Sequence, residues 1–303
     1  MKTHIDWVTF RCKTNPYAIL ERIQKSFGEC GELVALSPCA KGRDGWEFGQ
    51  DIVLAGDITL GHIDYGGNSQ RDWVRCVLTG TGCDWVLDWS AFTEGLILLQ
   101  GELRRVDIAL TTYDGSVTDA MVAKAKADGR FTTSGRAPVM RTIVSDNPLA
   151  GVTRYIGSRE KSDKMLRCYE KGKEMLKHLP ENERILRTHI GDDKVENIYR
   201  VELELKAVTK EISLNVFLQR DHVFANAYPF CADLLPAQPE YVRKALPSFK
   251  PEASLEGVLA HCKNAYGGAI FTAIHLYGRE KVLDMICGVE HSRKLVDSGV
   301  LTL

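Results

Sequence analysis

The run Tyr199-Arg200-Val201-Glu202-Leu203-Glu204-Leu205-Lys206 alternates charged and apolar residues without a break. Side chains on a strand point alternately to its two faces. As a strand it therefore sets Arg200, Glu202, Glu204 and Lys206 on one face and Val201, Leu203 and Leu205 on the other. A strand of this kind belongs in an antiparallel sheet with one face covered by helices, because strands of parallel sheets are apolar on both faces. Leu103 to Leu110 repeats the pattern, with Arg105 and Asp107 facing one way and Val106, Ile108 and Leu110 the other. Ile5 to Phe10 alternates as well.

The rest of the first two-thirds reads as strands punctuated by glycine, with helices in between. Asn15-Pro16 opens a helix that runs to about Phe27, with Gly28 closing it. Glu47-Phe48, Asp51 to Leu54, Ile58 to Ile63, Trp73 to Thr79 and Leu96 to Leu99 are expected strands, and Trp85 to Glu94 and Asp119 to Asp128 expected helices. Gly80-Thr81-Gly82-Cys83 is a turn into the first of these helices. As a phosphate cradle it lacks the Lys-Ser/Thr pair of a P-loop. Thr153 to Ser158 and Met165 to Lys171 form a hairpin about Ser162-Asp163. Pro180 to Asp193 is a polar excursion, and Leu214 to Tyr228 has helical character.

Beyond that point prolines break the chain at 229, 236, 239, 247 and 251. Ser254 to Ala265, Gly268 to Tyr277, Arg279 to Cys287 and His291 to Asp297 follow as helix candidates. The expected architecture is α+β: a mostly antiparallel central sheet with helices packed on one face over residues 1–230, then a helical C-terminal subdomain over residues 231–303. No internal repeat is visible.

Forty-four per cent hydrophobic and 26% charged residues are ordinary for a globular chain. Nine scattered cysteines without a Cys-x-x-Cys pair give neither a disulfide framework nor a thiolate zinc site. They are expected to be reduced. The N-terminal residues do not read as a signal peptide, and no apolar run approaches a membrane span, so a soluble cytoplasmic protein is expected. Net charge is −1, which argues against a polycation that coats nucleic acid through bulk charge. Basicity is local: from Arg154 to Lys177, eight Lys and Arg stand against four Asp and Glu.

That basic stretch contains the least ordinary pattern. Alternation along Arg167-Cys168-Tyr169-Glu170-Lys171 sets Tyr169 between Arg167 and Lys171 on one face. Cations favour a phenolate and can hold a phosphate. The same pattern also fits a sheet tyrosine between two solvated charges. Glu202 and Glu204, about 7 Å apart along their strand, could share a hard cation such as Mg2+ or Mn2+, or could form a salt-bridge ladder with Arg200 and Lys206. Asp107 likewise reads as a ligand or as the partner of a neighbouring arginine. The eight histidines form no His-x-His or His-Glu-x-x-His pattern.

Three segments in this order, Arg105-Val106-Asp107-Ile108-Ala109, Tyr155-Ile156-Gly157-Ser158-Arg159 with Leu166-Arg167-Cys168-Tyr169-Glu170-Lys171, and Tyr199 to Lys206, together resemble the replication-initiation factor family, Rep_trans. These are rolling-circle initiators of plasmids and filamentous phages. Ile5-Asp6-Trp7-Val8-Thr9 and Gly80-Thr81-Gly82-Cys83 resemble the N-terminal half of the phage branch. The resemblance implies an endonuclease that nicks one strand at an origin through a tyrosine, leaving a 5′-phosphotyrosyl link and a free 3′-OH primer, and later recloses the strand. It implies Tyr169 as nucleophile, with Arg167 and Lys171 at the phosphate; Tyr155, on the paired strand beside Gly157, is the rival nucleophile. It implies Asp107, Glu202 and Glu204 at the positions linked to a divalent metal. A second family aspartate falls here on Thr111, with Asp114 the nearest substitute. Arg159, Lys164, Lys173 and Arg200 are the expected DNA contacts. The implied partners are origin DNA, single-stranded at the nick and duplex for recognition, and a host helicase and polymerase, since no Walker motif is present. The tail is expected to recognise duplex or to form a homodimer. A non-catalytic origin- or operator-binding protein on the same scaffold, and a conjugative relaxase, are the alternatives.

Overall fold

The computed structural model describes residues 2–133, 135–235 and 255–288. Two compact units divide the chain, Met1–Leu246 and Pro247–Leu303.

In the first unit the strands, in chain order, are β1 (His4–Cys12), β2 (Val34–Pro38), β3 (Phe48–Leu54), β4 (Ile58–Tyr65), β5 (Val74–Leu78), β6 (Glu102–Thr112), β7 (Met140–Val144), β8 (Val152–Ile156), β9 (Lys164–Tyr169), β10 (His189–Ile190), β11 (Asp193–Lys194) and β12 (Tyr199–Lys206). Its helices are α1 (Pro16–Ser26), α2 (Gly80–Asp84), α3 (Trp89–Leu98), α4 (Asp119–Ala127), α5 (Lys171–Met175), α6 (Glu181–Leu186), α7 (Arg220–Ala225) and α8 (Pro229–Leu234). Ten of the strands form one sheet in the order β2-β3-β4-β5-β1-β6-β12-β9-β8-β7. Every neighbouring pair in it is antiparallel. The α+β class and the antiparallel sheet are as the sequence implies.

The alternation in β12 explains its central place. Val201, Leu203 and Leu205 are buried in the core with Val106, Ile108 and Leu110 of β6 and Leu166 and Cys168 of β9. Helices close this apolar face: Ile19 and Ile23 of α1, Phe92 and Leu96 of α3 and Val122 of α4 belong to the same core. Burial of this area supplies the main drive to fold, at about 25 cal/mol per Å2 of apolar surface. The polar side chains of β6, β12 and β9 are left on the other face.

The sheet is built twice over. In its first half, β1, α1, β2, β3, β4 and β5 follow in the chain and lie in the order β2-β3-β4-β5-β1; in its second, β6, α4, β7, β8, β9 and β12 lie in the order β7-β8-β9-β12-β6. The halves meet at the β1–β6 pair. Register makes the correspondence residue-specific. Arg75 of β5 faces Asp64 of β4, as Arg200 of β12 faces Tyr169 of β9. Val77 faces His62, as Glu202 faces Arg167. The first half thus carries Asp64 where the second carries Tyr169. Asp64 is fully buried and held by two hydrogen bonds from the Arg75 guanidinium, of 2.8 and 3.1 Å.

Some boundaries differ from the sequence reading. Phe48–Leu54 forms one strand where two were expected, and Val34–Pro38 is an additional one. Leu96 to Leu99 ends a helix rather than forming a strand: Asp88 caps α3 through the Ser90 and Ala91 amides, which starts the helix at Trp89. Gly80–Asp84 is itself a short helix capped by Thr79. A side chain at Gly82 would meet the Leu60 carbonyl at 2.1 Å, so that glycine serves close packing. The polar excursion holds α6 and the small β10–β11 hairpin, and α5 precedes it.

In the second unit, α9 (Leu255–Tyr277) runs unbroken through the two helix candidates, and α10 (Arg279–Ile286) follows. The proline-rich stretch beyond residue 235 and the His291–Asp297 candidate lie outside the described residues. No described helix is long and apolar enough to cross a membrane.

Candidate active site

On the polar face, at the centre of the second half, three adjacent strands bring together residues far apart in sequence. Glu204 of β12 faces Asp107 of β6, and Glu202 and Arg200 face Arg167 and Tyr169 of β9. Tyr155 of β8 faces Arg167 from the far side. Asp107, Glu202, Glu204, Arg200, Arg167, Tyr169 and Tyr155 therefore share one face, as alternation requires.

The cluster is a chain of ion pairs sunk into the sheet. Asp107, Glu202 and Glu204 are 2%, 4% and 3% exposed. Arg105 donates to both Asp107 oxygens, at 2.8 and 2.5 Å, and lies 3.0 Å from Glu204. Lys206 closes on the other Glu204 oxygen at 3.0 Å. Arg167 donates one hydrogen bond of 2.7 Å to Glu202 and another of 3.1 Å to the Tyr169 hydroxyl. Its guanidinium stacks on the Tyr169 ring, 4.5 Å from the centroid. Arg200 donates to Thr111 Oγ1 at 2.9 Å and to Asp6 at 2.8 Å.

Burial sets the protonation of the cluster. It raises the Asp107 carboxyl to about 7 in spite of Arg105, and it raises Glu202 in spite of Arg167. Burial also pushes the Tyr169 phenol to about 12, although Arg200 and Arg167 act to lower it. Asp6 goes the other way. Its burial is outweighed by His4 and the Arg200 charge, which hold it down to about 2.

Lys171 departs from the strand pattern. β9 ends at Tyr169 and Lys171 opens α5, where its ammonium bonds to Glu174 at 2.6 Å and lies 5.9 Å from the Tyr169 ring. Lys164 has the opposite parity to Tyr169. Its ammonium donates to the Ala227 carbonyl and lies over the Tyr228 ring, away from the cluster. Arg159 approaches the rim at 3.7 Å from Glu204, and Lys173 sits on α5, paired with Glu170 at 3.0 Å.

Asp114 stays outside: it is exposed and caps the turn at Ser116. The carboxylate that holds Arg200 comes instead from Asp6, which a register shift between Ile5 and Trp7 turns aside in β1. Next to it, Trp7 lies against the Arg105 guanidinium, 4.9 Å from ring to cation. Neither residue is flagged by spacing, since β1 is nearly two hundred residues from β12. Ile5-Asp6-Trp7-Val8-Thr9 is nonetheless one of the segments that carries the resemblance.

For a divalent ion the donor chemistry is suitable but the arrangement is not. Each of the three candidate carboxylates is already bonded to a guanidinium. Among the described residues no group of three or more Asp, Glu, His and Cys side chains could hold a metal. As arranged, these residues do not fit a metal ion.

Comparison with known proteins bears on this arrangement. No curated protein matches the chain. Among solved structures, it resembles the rolling circle replication initiator protein from Geobacillus stearothermophilus, with 19% identity over 74% of this chain and 83% of that one and a TM-score of 0.52. At that identity the likeness is one of fold. Residues 101–248 match the family model described as replication initiation factor. The segment with Asp107, Tyr169 and Glu202 is therefore similar to the replication initiation factor family, in a chain that shares the fold of a rolling-circle initiator.

Proposed function

We propose that the chain nicks one strand of origin DNA, with Tyr169 as the nucleophile. The observation that carries this reading is the hydrogen bond from Arg167 to the Tyr169 hydroxyl on a face shared with Arg200. A phenol oxygen is held there between two cations that can receive a phosphate. Attack of that oxygen on phosphorus breaks the bond to the 3′ oxygen. The DNA 5′-phosphate becomes esterified to Tyr169, the phenol proton is released, and the leaving 3′ oxygen takes up a proton. The 3′-OH then primes synthesis. In closure, a 3′-OH attacks the phosphotyrosyl link and returns the phenol, so no external energy source is needed. Arg167 and Arg200 would offset the charge that builds on the phosphoryl oxygens. Asp6 and Thr111 hold Arg200 in position for it.

Origin DNA is the proposed partner, with a host helicase to unwind and a host polymerase to extend. We assign duplex recognition or dimerisation to the C-terminal unit. The test is incubation with a supercoiled plasmid that carries the cognate origin. Relaxed or open-circular product with covalently bound protein is expected. A gel shift with no nick and no adduct would leave a binding protein in place of an enzyme.

A further inference from the structure

The two halves of the sheet differ most in how their fourth and last strands are joined. β4 passes to β5 through residues 66–73, whereas β9 passes to β12 through residues 170–198. In the first half the corresponding strand pair is joined by the short link alone. The extra chain leaves β9 directly after Tyr169 and is anchored to the sheet at once. The Gly172 amide donates to the Ile198 carbonyl at 3.0 Å, and a side chain at Gly172 would meet the Val195 carbonyl at 2.1 Å.

Between α5, α6 and the β10–β11 hairpin this excursion encloses a groove of about 510 Å3. Leu149, Ile185 and Val195 give it apolar walls, and Arg184, Arg187 and Lys194 bring cations to them. The other cations of the segment are spoken for: Lys171 and Lys177 bond to Glu174, and Lys173 pairs with Glu170. Arg184, Arg187 and Lys194 have no ion pair among the described residues, although Glu196 also lines the groove. The Arg184 Nε is buried without a hydrogen-bond partner. A buried, unpartnered guanidinium nitrogen is costly, and a ligand oxygen would relieve it. A cation-lined groove can track the backbone of single-stranded nucleic acid, and its aliphatic wall can pack against a base face by apolar contact.

We propose that this groove binds single-stranded DNA next to the nick, with Arg184, Arg187 and Lys194 on its phosphates and a base against Leu149 and Ile185. The proposal rests on the nicking reading for its context and is separable from it. It assigns the long β9–β12 link to substrate retention: the strand is held beside Tyr169 by an element that the first half of the sheet lacks.

The test uses the full chain and a fluorescent oligo(dT) of about 20 nucleotides, long enough for one groove and its flanks. Affinity is read by anisotropy over a salt series for wild type and for Arg184→Ala/Arg187→Ala/Lys194→Ala. The variant is expected to bind at least ~10-fold more weakly and to lose about 2 from the log–log salt slope, at ~0.7 per phosphate contact on a single strand. Unchanged affinity and slope overturn the proposal, as does an equal loss for a blunt duplex of the same length. Lys194→Glu, on an exposed hairpin residue, repeats the test should the triple variant melt early. Tyr169→Phe in the same assay keeps the two readings apart. It is expected to bind oligo(dT) like wild type, and its nicking decides only the question of the nucleophile.

Discussion

Tyr169 is a phenol at 5% exposure, bonded to an arginine and, like any phenol, protonated at neutral pH; burial lifts it further, to about 12. In the proposed reaction its attack is limited by the fraction ionised. A raised phenol pKa means that the reactive form grows as pH rises, so single-turnover nicking should climb with pH across 7 to 9 without a plateau. A plateau below 8 would show that the nucleophile titrates much lower than its surroundings imply. Arg167 touches both the hydroxyl and Glu202, so Arg167→Ala should slow nicking by ~100-fold or more, in the range for loss of a charge-stabilising donor. Arg167→Lys should restore little, since a point charge cannot serve the phenol and the carboxylate together. Single-turnover rates with the cognate oligonucleotide measure both. Part of this was legible from residue types alone. The alternation in Arg167-Cys168-Tyr169 places both side chains correctly, whereas Lys171 falls just past the strand end, where a helix takes over from the pleat.

At the scale of elements, β12 is the best-read piece of the chain, because its period of two leaves one arrangement. Its apolar face should be unforgiving: Leu203→Ala, fully buried between β6 and β9, is expected to cost about 2–5 kcal/mol in denaturant unfolding. A loss below 1 kcal/mol would mean that the core can close over the gap. β1 was less legible. Nothing in Ile5 to Phe10 announces that a register shift turns Asp6 toward Arg200, since sequence periodicity carries no information on bulges or on distant partners. Asp6→Ala should leave Arg200 held by Thr111 alone and slow nicking by ~10-fold, with origin binding kept. Wild-type rates in that variant would remove Asp6 from the account. Short apolar runs were ambiguous for a related reason. Leu96 to Leu99 suits a strand or a buried helix turn, and the Asp88 cap decides the matter eight residues upstream of Leu96.

For the whole molecule, the repeated topology was invisible in the sequence. Only the arginine of each pair, Arg75 and Arg200, keeps its type across the corresponding positions, while Asp64 stands for Tyr169 and Val77 for Glu202. Fold repetition depends on apolar pattern and connection, which tolerate near-complete exchange of side chains on the open face. The active face follows from that tolerance: one half spends its polar positions on a closed ion network around Asp64, and the other sets a tyrosine there. The C-terminal unit is a separate body in the chain, so removal of Pro247–Leu303 should weaken duplex-origin binding more than cleavage of a single-stranded origin oligonucleotide. Parallel gel-shift and cleavage assays would show it, and equal loss of both would give the unit a structural role.

The central claim is that Tyr169, and not its neighbour Tyr155, takes the phosphate. The most direct measurement is peptide mapping by mass spectrometry of the covalent adduct formed with a single-stranded oligonucleotide that spans the intact nick site, for wild type, Tyr169→Phe and Tyr155→Phe. An adduct on the peptide with Tyr169 is expected in wild type and in Tyr155→Phe, and none in Tyr169→Phe. An adduct that survives in Tyr169→Phe and disappears in Tyr155→Phe would contradict the claim.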